Sequence, residues 1–391
     1  SMNKFLRVFT GGISVFLFTQ LSAEVKTTLD ASIHQDYVSV RALGMGNAFS
    51  AVVDDHSALF YNPAALALRK SGVIRGYLRG GASQNWSSFL SGLDENSNSA
   101  EGTNPMATFL ESKYGESYNL SVPMIGLHWV RPNWGMAFIP LNPSIDLSIH
   151  KAGAPSISMN AYVDTVLAYG YGAKWKKAQS KLGGNVSWGM TWKLIHRILA
   201  SESLSLADLA ADGGSGINND SAGEGLTVDA DFGLLWSPKI TKKGWLRFSK
   251  PTFSLVMRNA LDYGYITNLH VVSENSPEPS KLQRRVDMGS KWDLPNFWVF
   301  DPHFAFEVRD LLHENWSLKK GIHMGAELDW EMFSWWKGNW NLGINQGYPT
   351  MGLGARFAFF NLDLAYYAEE LGTDDFPSKS ERLVMEMSLE F

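Results

Sequence analysis

The sequence contains no cysteine, which excludes disulfide bonds and thiolate chemistry. Beyond its N-terminal stretch it also has no run of about 18 apolar residues, so no membrane-spanning helix is predicted there. Positive charge is not in excess either, because the formal net charge is −5, and this provides no basic field for nucleic acid. Nucleic-acid binding and disulfide-stabilised folds are therefore not expected.

Aromatic residues, by contrast, are abundant: the chain has 15 Trp, 13 Tyr and 22 Phe. Its mean hydropathy of −0.14 would by itself suit a soluble protein. A transmembrane barrel has a similar value, because half of every strand faces water. Belts of Trp and Tyr at the two membrane surfaces would account for the aromatic content.

Residues 1–23 are predicted to form a secretory signal peptide. Lys4 and Arg7 supply its positive start, residues 13–18 form the centre of its apolar stretch, and cleavage is expected after Ala23. An exported chain without a spanning helix has one way left to cross a membrane, which is a closed β-barrel.

The last eleven residues alternate in the way that a barrel strand requires. One parity is apolar and the other polar: Met385, Met387, Leu389 and Phe391 against Glu386, Ser388 and Glu390. Successive side chains of a strand point to opposite faces, so this strand has one apolar and one charged face. A terminal aromatic such as Phe391 resembles the signal read by the barrel-assembly machinery of the bacterial outer membrane, an expected partner. The open alternative is an edge strand of a soluble sandwich.

The same alternation recurs in about fourteen segments after residue 72, an even number as in bacterial single-chain barrels. The sequence therefore predicts an all-β fold, a transmembrane antiparallel β-barrel over residues 72–391. Its charged parities would be rare inside a soluble sandwich, so they are expected to line a wet interior. The third segment is irregular, because its apolar parity changes between Phe138 and Ile145.

Residues 24–71 do not alternate and are rich in small residues. Two stretches stand out: Ala42-Leu43-Gly44-Met45-Gly46-Asn47-Ala48-Phe49 and Ala58-Leu59-Phe60-Tyr61-Asn62-Pro63-Ala64. Residues 41–65 resemble the N-terminal segment of the FadL/TodX family of outer-membrane transporters for hydrophobic compounds, and equally that of its PorV-type relatives. Ala65 departs from the usual Asn-Pro-Ala-Gly pattern of this segment.

The resemblance implies that residues 24–71 form a hatch inside the lumen of the barrel. The positions that carry the motif are Gly44, Gly46, Asn47, Phe49, Phe60, Asn62 and Pro63. The two glycines would permit tight backbone turns, and Asn62-Pro63 would form a helix-capping turn.

Pro140-Leu141-Asn142-Pro143 lies where the parity of the third segment changes. Each proline removes a donor from the ladder, so strand pairing is expected to fail locally. FadL-type transporters have an inward kink in their third strand that opens a side window. Pro140, Asn142 and Pro143 are accordingly expected to border such a window, with an ordinary β-bulge as the alternative.

Two further groups of residues could meet a ligand. Residues 83–121 contain two amphipathic stretches that either form an external apolar groove or bury their faces against each other: Trp86, Phe89, Leu90, Met106, Phe109 and Leu110. Four luminal arginines either meet a carboxylate head group or pair with acidic wall residues: Arg75, Arg79, Arg285 and Arg309.

The function expected from the resemblance is passive uptake of long-chain fatty acids or other hydrophobic compounds, in contact with outer-membrane lipid. Movement of the hatch would let the ligand leave sideways. A PorV-like scaffold that binds partner proteins without transport is the alternative, and a barrel lipase is a more remote one. The chain has no H-E-x-x-H, Walker or G-x-S-x-G motif and no histidine pair of metal-binding spacing, so neither an enzyme, a metal nor a cofactor is predicted.

Overall fold

The structure, a computed structural model, describes residues 32–97, 104–152, 154–205, 222–240, 244–271, 276–372, 374 and 377–391. The predicted signal peptide, residues 1–23, and the first residues of the predicted hatch, 24–31, lie outside this part.

Within the described residues, fourteen antiparallel strands form one closed barrel in which consecutive strands pair and β1 pairs with β14. The strands are β1 Val73–Ser83, β2 Ser117–Arg131, β3 Trp134–Ala152, β4 Ala154–Lys174, β5 Asn185–Ser205, β6 Gly223–Ser237, β7 Thr252–Arg258, β8 Arg285–Asp293, β9 Phe300–Leu311, β10 Ile322–Phe333, β11 Trp336–Asn345, β12 Tyr348–Phe357, β13 Phe360–Glu370 and β14 Lys379–Glu390. The predicted all-β fold and strand number are confirmed.

The two parities of each strand face different surroundings. On β14, Met385 and Leu389 are 42% and 44% exposed on the outer face, whereas Glu386 on the inner face is 2% exposed. Most other strands present apolar side chains outward in the same way, for example Ile74, Leu127, Phe138, Leu167, Trp192, Phe232, Leu255, Phe306, Leu342 and Leu353. These side chains form an apolar belt around the barrel.

The two rims of the barrel differ. Ile74 and Phe391 exchange backbone hydrogen bonds of 2.9 Å at one rim, where short connections such as residues 132–133 and 334–335 also lie. We call this rim the turn end. The opposite rim, the loop end, has long connections such as residues 84–116 and 259–284.

The helices are short: α1 Val40–Gly44, α2 Ala58–Tyr61, the 3₁₀ helix Pro63–Leu68, α3 Trp86–Ser97, α4 Asn104–Glu111, α5 Lys176–Leu182, α6 Trp245–Ser249 and α7 Leu318–Gly321. Among the described residues, no helix combines the length and the apolar character needed to cross a bilayer. The first three belong to residues 32–71, which we call the N-terminal segment. This segment packs on the inner faces of the strands, where Phe49 and Leu59 share a buried core with Ile139 and Val166 of the wall.

Candidate functional site

Pairing between β2 and β3 is interrupted in the middle of both strands. Residues 127–131 pair with residues 134–138, and residues 117–120 pair with residues 145–148. Between these two ladders only Ile125 has a partner, Leu141. The wall therefore has a break that is bordered by residues 121–124 on one strand and 142–144 on the other.

Prolines account for the break. Pro123, Pro140 and Pro143 lie in or beside it, and none of them has a backbone N–H to donate to the neighbouring strand. On the β4 side, Pro140 and Leu141 together oppose Thr165, which is the two-against-one arrangement of a β-bulge. The structure thus contains a bulge toward β4 and, in addition, a break toward β2.

Side chains, rather than backbone groups, connect the strands across the break. The hydroxyl oxygens of Ser121 and Ser144 lie 3.1 Å apart, and the amide of Asn119 donates to the Ser144 hydroxyl at 2.9 Å. The amide of Asn142 donates to the carbonyl of Asp36 in the N-terminal segment at 3.1 Å. The N-terminal segment therefore touches the break directly.

A cavity of about 570 Å³ lies in the barrel on the loop-end side of the N-terminal segment. Ile33, His34 and Gln35 contribute to its lining, together with residues of β1 to β5, β13 and β14. Four residues of the break region also line it: Ser121, Met124, Asn142 and Ser144. The cavity thus extends to the point where the wall lacks a ladder.

The cavity lining is mixed, with somewhat more polar than apolar surface, whereas small-molecule sites are typically mostly apolar. Four arginines line it and each has a carboxylate partner: Arg79 with Glu386 at 2.6 Å, Arg197 with Asp164 at 2.6 Å, Arg285 with Asp310 at 3.0 Å and Arg382 with Glu369 at 2.7 Å. These pairs stabilise buried guanidinium groups that would otherwise be costly to desolvate.

Of the four arginines singled out in the sequence, Arg79 and Arg285 line this cavity. Arg75 instead forms ion pairs with Asp363 and Glu386, at 2.8 and 2.7 Å. Arg309 donates to the backbone carbonyl of Asn47 at 2.6 Å. All four bond to protein groups.

Asp36 joins the N-terminal segment to β5. Its carboxylate pairs with the Lys193 ammonium of β5, which also pairs with Asp231 of β6 at 2.9 Å. Burial by itself would raise the pKa of Asp36, but the nearby Lys193 charge holds that pKa below its usual range. The carboxylate is therefore ionised at neutral pH, and its ion pair fixes the start of the N-terminal segment to the wall.

The motif residues of the N-terminal segment are held by wall groups. Gly46 has φ of +64°, and its carbonyl and N–H contact His323 and Thr350 at 2.8 and 3.0 Å. Asn62 caps the 3₁₀ helix by accepting from the N–H of Ala64 at 3.1 Å, as the sequence suggests, and also donates to the carbonyl of Leu234. Phe49 is fully buried, Asn47 is held by Arg309, and the Phe60 carbonyl accepts from Arg258.

Wall glycines let the segment approach the strands closely. A Cβ atom at Gly189 would lie 2.3 Å from the carbonyl carbon of Pro63, and one at Gly352 would lie 2.8 Å from the Cα of Gly44. Such distances exclude any side chain without movement of one backbone. Residues 44–66 therefore pack closely against several strands.

Residues of the amphipathic insert pack on the outer wall beyond the break. Phe89 and Leu110 are fully buried in a cluster with Tyr118, Leu147 and Ile157 of β2 to β4. Trp86 and Phe109 are partly buried against this cluster, and Leu90 is 46% exposed. The side chain of Met106 lies outside the described part of the chain.

One cluster has metal-ligating residue types: His303, Glu327 and Asp329 of β9 and β10. Arg41 of the N-terminal segment donates to both carboxylate oxygens of Glu327, through Nε at 2.7 Å and through Nη2. A guanidinium therefore already supplies positive charge where a cation would bind, and the cluster acts as an ion-paired contact between segment and wall.

Sequence reasoning missed several lining residues. Arg197 and Arg382 lie on the inward parity of β5 and β14, so parity alone could have included them. Ser121, Ser144 and His34 carried no comparable signal, because their position depends on how distant segments meet.

No family model and no curated protein matches the sequence. Several solved structures are similar. They include the toluene transporter TodX of Pseudomonas putida (10% identity, TM-score 0.49, covering 92% of this chain and 99% of that one), the toluene transporter TbuX of Ralstonia pickettii (8%, 0.48, 90% and 97%) and the CymD monoaromatic hydrocarbon channel (11%, 0.46, 92% and 98%). Over at least 90% of its length, the chain is thus similar in structure to TodX, TbuX and CymD.

Proposed function

We propose that the chain is a bacterial outer-membrane channel for passive uptake of hydrophobic compounds, long-chain fatty acids among them. The ligand binds in the lumen cavity and leaves sideways into the bilayer through the break between β2 and β3. The observation that carries this proposal is that the break residues Ser121, Met124, Asn142 and Ser144 are also lining residues of the cavity.

The chemistry of the two sides of the break suits an amphiphile. Inside, the lining offers hydrogen bonds and guanidinium groups for a polar head. Outside, Val122 and Ile125 are 51% and 43% exposed beside the break, so an apolar tail would pass directly onto the apolar belt. Unsatisfied backbone in lipid is costly, and here the backbone at the break faces a polar cavity instead.

In this proposal residues 24–71 are a hatch that closes the straight route through the barrel, residues 72–391 are the barrel, and residues 1–23 are a signal peptide. The apolar belt contacts outer-membrane lipid, and the last strand, β14, together with Phe391 after it, is presented to the barrel-assembly machinery. No catalytic group, metal or cofactor takes part.

The test is uptake of a fluorescent fatty acid and of a plain aromatic hydrocarbon by cells that do or do not produce the protein. Faster uptake of either compound, together with hydrophobic molecules in an organic extract of the purified protein, is expected. Equal uptake with and without the protein, combined with surface proteins that co-purify with it, would contradict transport and favour the scaffold alternative.

A further inference from the structure

A second part of the cavity wall also lacks a strand ladder. β6 pairs with β7 through residues 232–236, and β7 pairs with β8 through residues 252–258 and 285–291. Toward the loop end, the described residues of the β7–β8 connection, 259–271 and 276–284, lie between β6 and β9 and form no strand. We call these two described stretches the coil wall.

Several side chains and a few scattered backbone hydrogen bonds hold the coil wall to β6. Among the described residues, Ala260 and Ile266 donate through their N–H groups to the carbonyls of Ala230 and Leu226, at 2.8 and 3.0 Å. In the other direction, the N–H groups of Leu226 and Glu224 donate to the carbonyls of Thr267 and Pro277, at 2.6 and 2.9 Å. The backbone N–H groups of Asn259 and Leu261 donate to the carboxylates of Asp231 and Asp229, at 2.9 and 3.0 Å. Leu226 and Thr267 form one isolated β-bridge. Segments held by few backbone bonds open locally at lower free energy than a continuous ladder does.

The coil wall has some residues on the cavity side and others exposed to the surroundings. Asn259, Leu282 and Gln283 line the cavity on the inner side. Tyr263 and Ile266 are 59% and 64% exposed. Apolar side chains exposed at the loop end offer a first contact for an apolar molecule that arrives from outside.

Tyr265 fills the space between the coil wall and β6. Its side chain is 4% exposed and packs on Gly225, where an added Cβ atom would lie 2.5 Å from the Tyr265 Cβ. Its ring lies 5.8 Å from the guanidinium carbon of Arg197, a lining residue of the cavity. The Tyr265 hydroxyl is buried and has no hydrogen-bond partner among the described residues, so packing and the nearby Arg197 guanidinium hold the ring.

We propose that the coil wall is a second opening of the cavity, closed by Tyr265, through which an apolar ligand is admitted from the loop end. This inference rests on the proposed function. It gives the ligand an entrance at the coil wall that is distinct from its exit at the break between β2 and β3. Opening costs the burial of one aromatic side chain and a few side-chain and backbone hydrogen bonds, fewer than a continuous ladder would have, while the N-terminal segment stays in place.

The test is the association rate of the uncharged fluorescent probe 1-N-phenylnaphthylamine with the purified full chain in detergent, measured by stopped flow. Tyr265→Ala removes the closing ring, and Tyr265→Phe is its matched control because the hydroxyl is unpartnered. The double variant Leu226→Cys/Thr267→Cys locks the bridge when oxidised. Its reduced form controls for folding, and the natural chain supplies no competing thiol.

Tyr265→Ala is expected to raise the association rate about fivefold or more, with Tyr265→Phe unchanged, and the oxidised bridge to lower it about tenfold, reversibly. An unchanged rate in the oxidised bridge variant would overturn this inference alone. If the unmodified protein does not bind the probe at all, the proposed function and this inference both fail. A rate lowered instead by a disulfide across the break, at Ser121→Cys/Ser144→Cys, would place the inward route there.

Discussion

The hydroxyl oxygens of Ser121 and Ser144 lie 3.1 Å apart across the gap in the β2–β3 ladder. Two side chains thus meet where the backbones of their strands do not pair. A hydrogen bond of this kind contributes about 1 kcal/mol, less than the several ladder bonds that it replaces. The wall is therefore weakened at a point that also lines the cavity, and an opening toward the bilayer would cost little there.

The prolines at the break are expected to be required for uptake. Pro140→Val combined with Pro143→Thr restores two backbone donors, so β3 can pair more continuously with its neighbours. Uptake of a fluorescent fatty acid should then fall by about fivefold or more while the barrel still folds. Pro349→Val is the control, because Pro349 lies in β12, paired with Ile344 and far from the break. Normal uptake in the double variant would contradict the assignment of the break as the exit.

The resemblance implies that the hatch moves to release the ligand, but the position of the cavity predicts that the N-terminal segment around Ser50 stays in place during transport. Ser50 of the N-terminal segment and Ser254 of β7 have hydroxyl oxygens 2.7 Å apart, so Ser50→Cys/Ser254→Cys can join segment and wall covalently. Because the cavity reaches the break without crossing residues 44–66, the oxidised protein should take up ligand as fast as the reduced one. Loss of uptake on oxidation would show instead that the whole segment has to leave the barrel.

The close contact between the N-terminal segment and the wall glycines leads to a prediction about stability. Gly189→Ala places a Cβ atom 2.3 Å from the Pro63 carbonyl carbon, so the segment or β5 must shift. The free energy of unfolding should fall by about 1–3 kcal/mol, as for other overpacked sites. Gly76→Ala is the control, since its nearest neighbour would be a Leu127 side-chain carbon at 3.9 Å. Thermal unfolding of the two variants in one detergent measures the difference.

The N-terminal segment is expected to loosen in acid. His56 is 4% exposed, its Nε2 lies 3.2 Å from the Tyr37 hydroxyl, and its ring lies 4.9 Å from that of His128. Burial, and then the charge of Arg75, hold the pKa of His56 well below its ordinary value of 6.5. A folded pKa that is depressed gives stability that is complete above the unfolded pKa and lost as the pH falls.

The free energy of unfolding should therefore decline from near pH 6.5 downward, by at most about 1.4 kcal/mol per pH unit for this one proton. Guanidinium unfolding of the wild type and of His56→Gln measures it, with exposed His270→Gln as the control. If the free energy of unfolding of His56→Gln declines below pH 6.5 as steeply as that of the wild type, the proton that destabilises the fold binds at another group.

Side-chain parity predicted the barrel because it is a local property. The alternation of β14 and β5 can be counted along the chain, and it follows directly from the geometry of an extended strand. The prolines of β3 likewise indicate, from the local sequence alone, that strand pairing fails, since each proline lacks a backbone N–H donor. Both features are present in the structure at the predicted residues.

What the sequence did not reveal depends on contacts between distant segments. Nothing in the sequence of residues 259–271 and 276–284 indicates that they lie where a ladder would otherwise be, because this depends on β7 and β8 being shorter than their neighbours. The insert with Phe89 and Leu110 carries a helical pattern, but whether that face meets a ligand or the outer wall depends on the register of β2 to β4. The polar lining of the cavity also arises from pairs such as Arg197 with Asp164 that only the closed barrel brings together.

The most direct test of lateral exit is fatty-acid uptake by cells that carry Ser121→Cys/Ser144→Cys, measured oxidised and reduced. The control, Ser117→Cys/Ser148→Cys, joins the same two strands where they already pair and where the hydroxyl oxygens lie 3.0 Å apart. Uptake that stops when the first pair is oxidised, returns on reduction and is unaffected by the second pair is the predicted result. Full uptake with the break covalently closed would contradict the account.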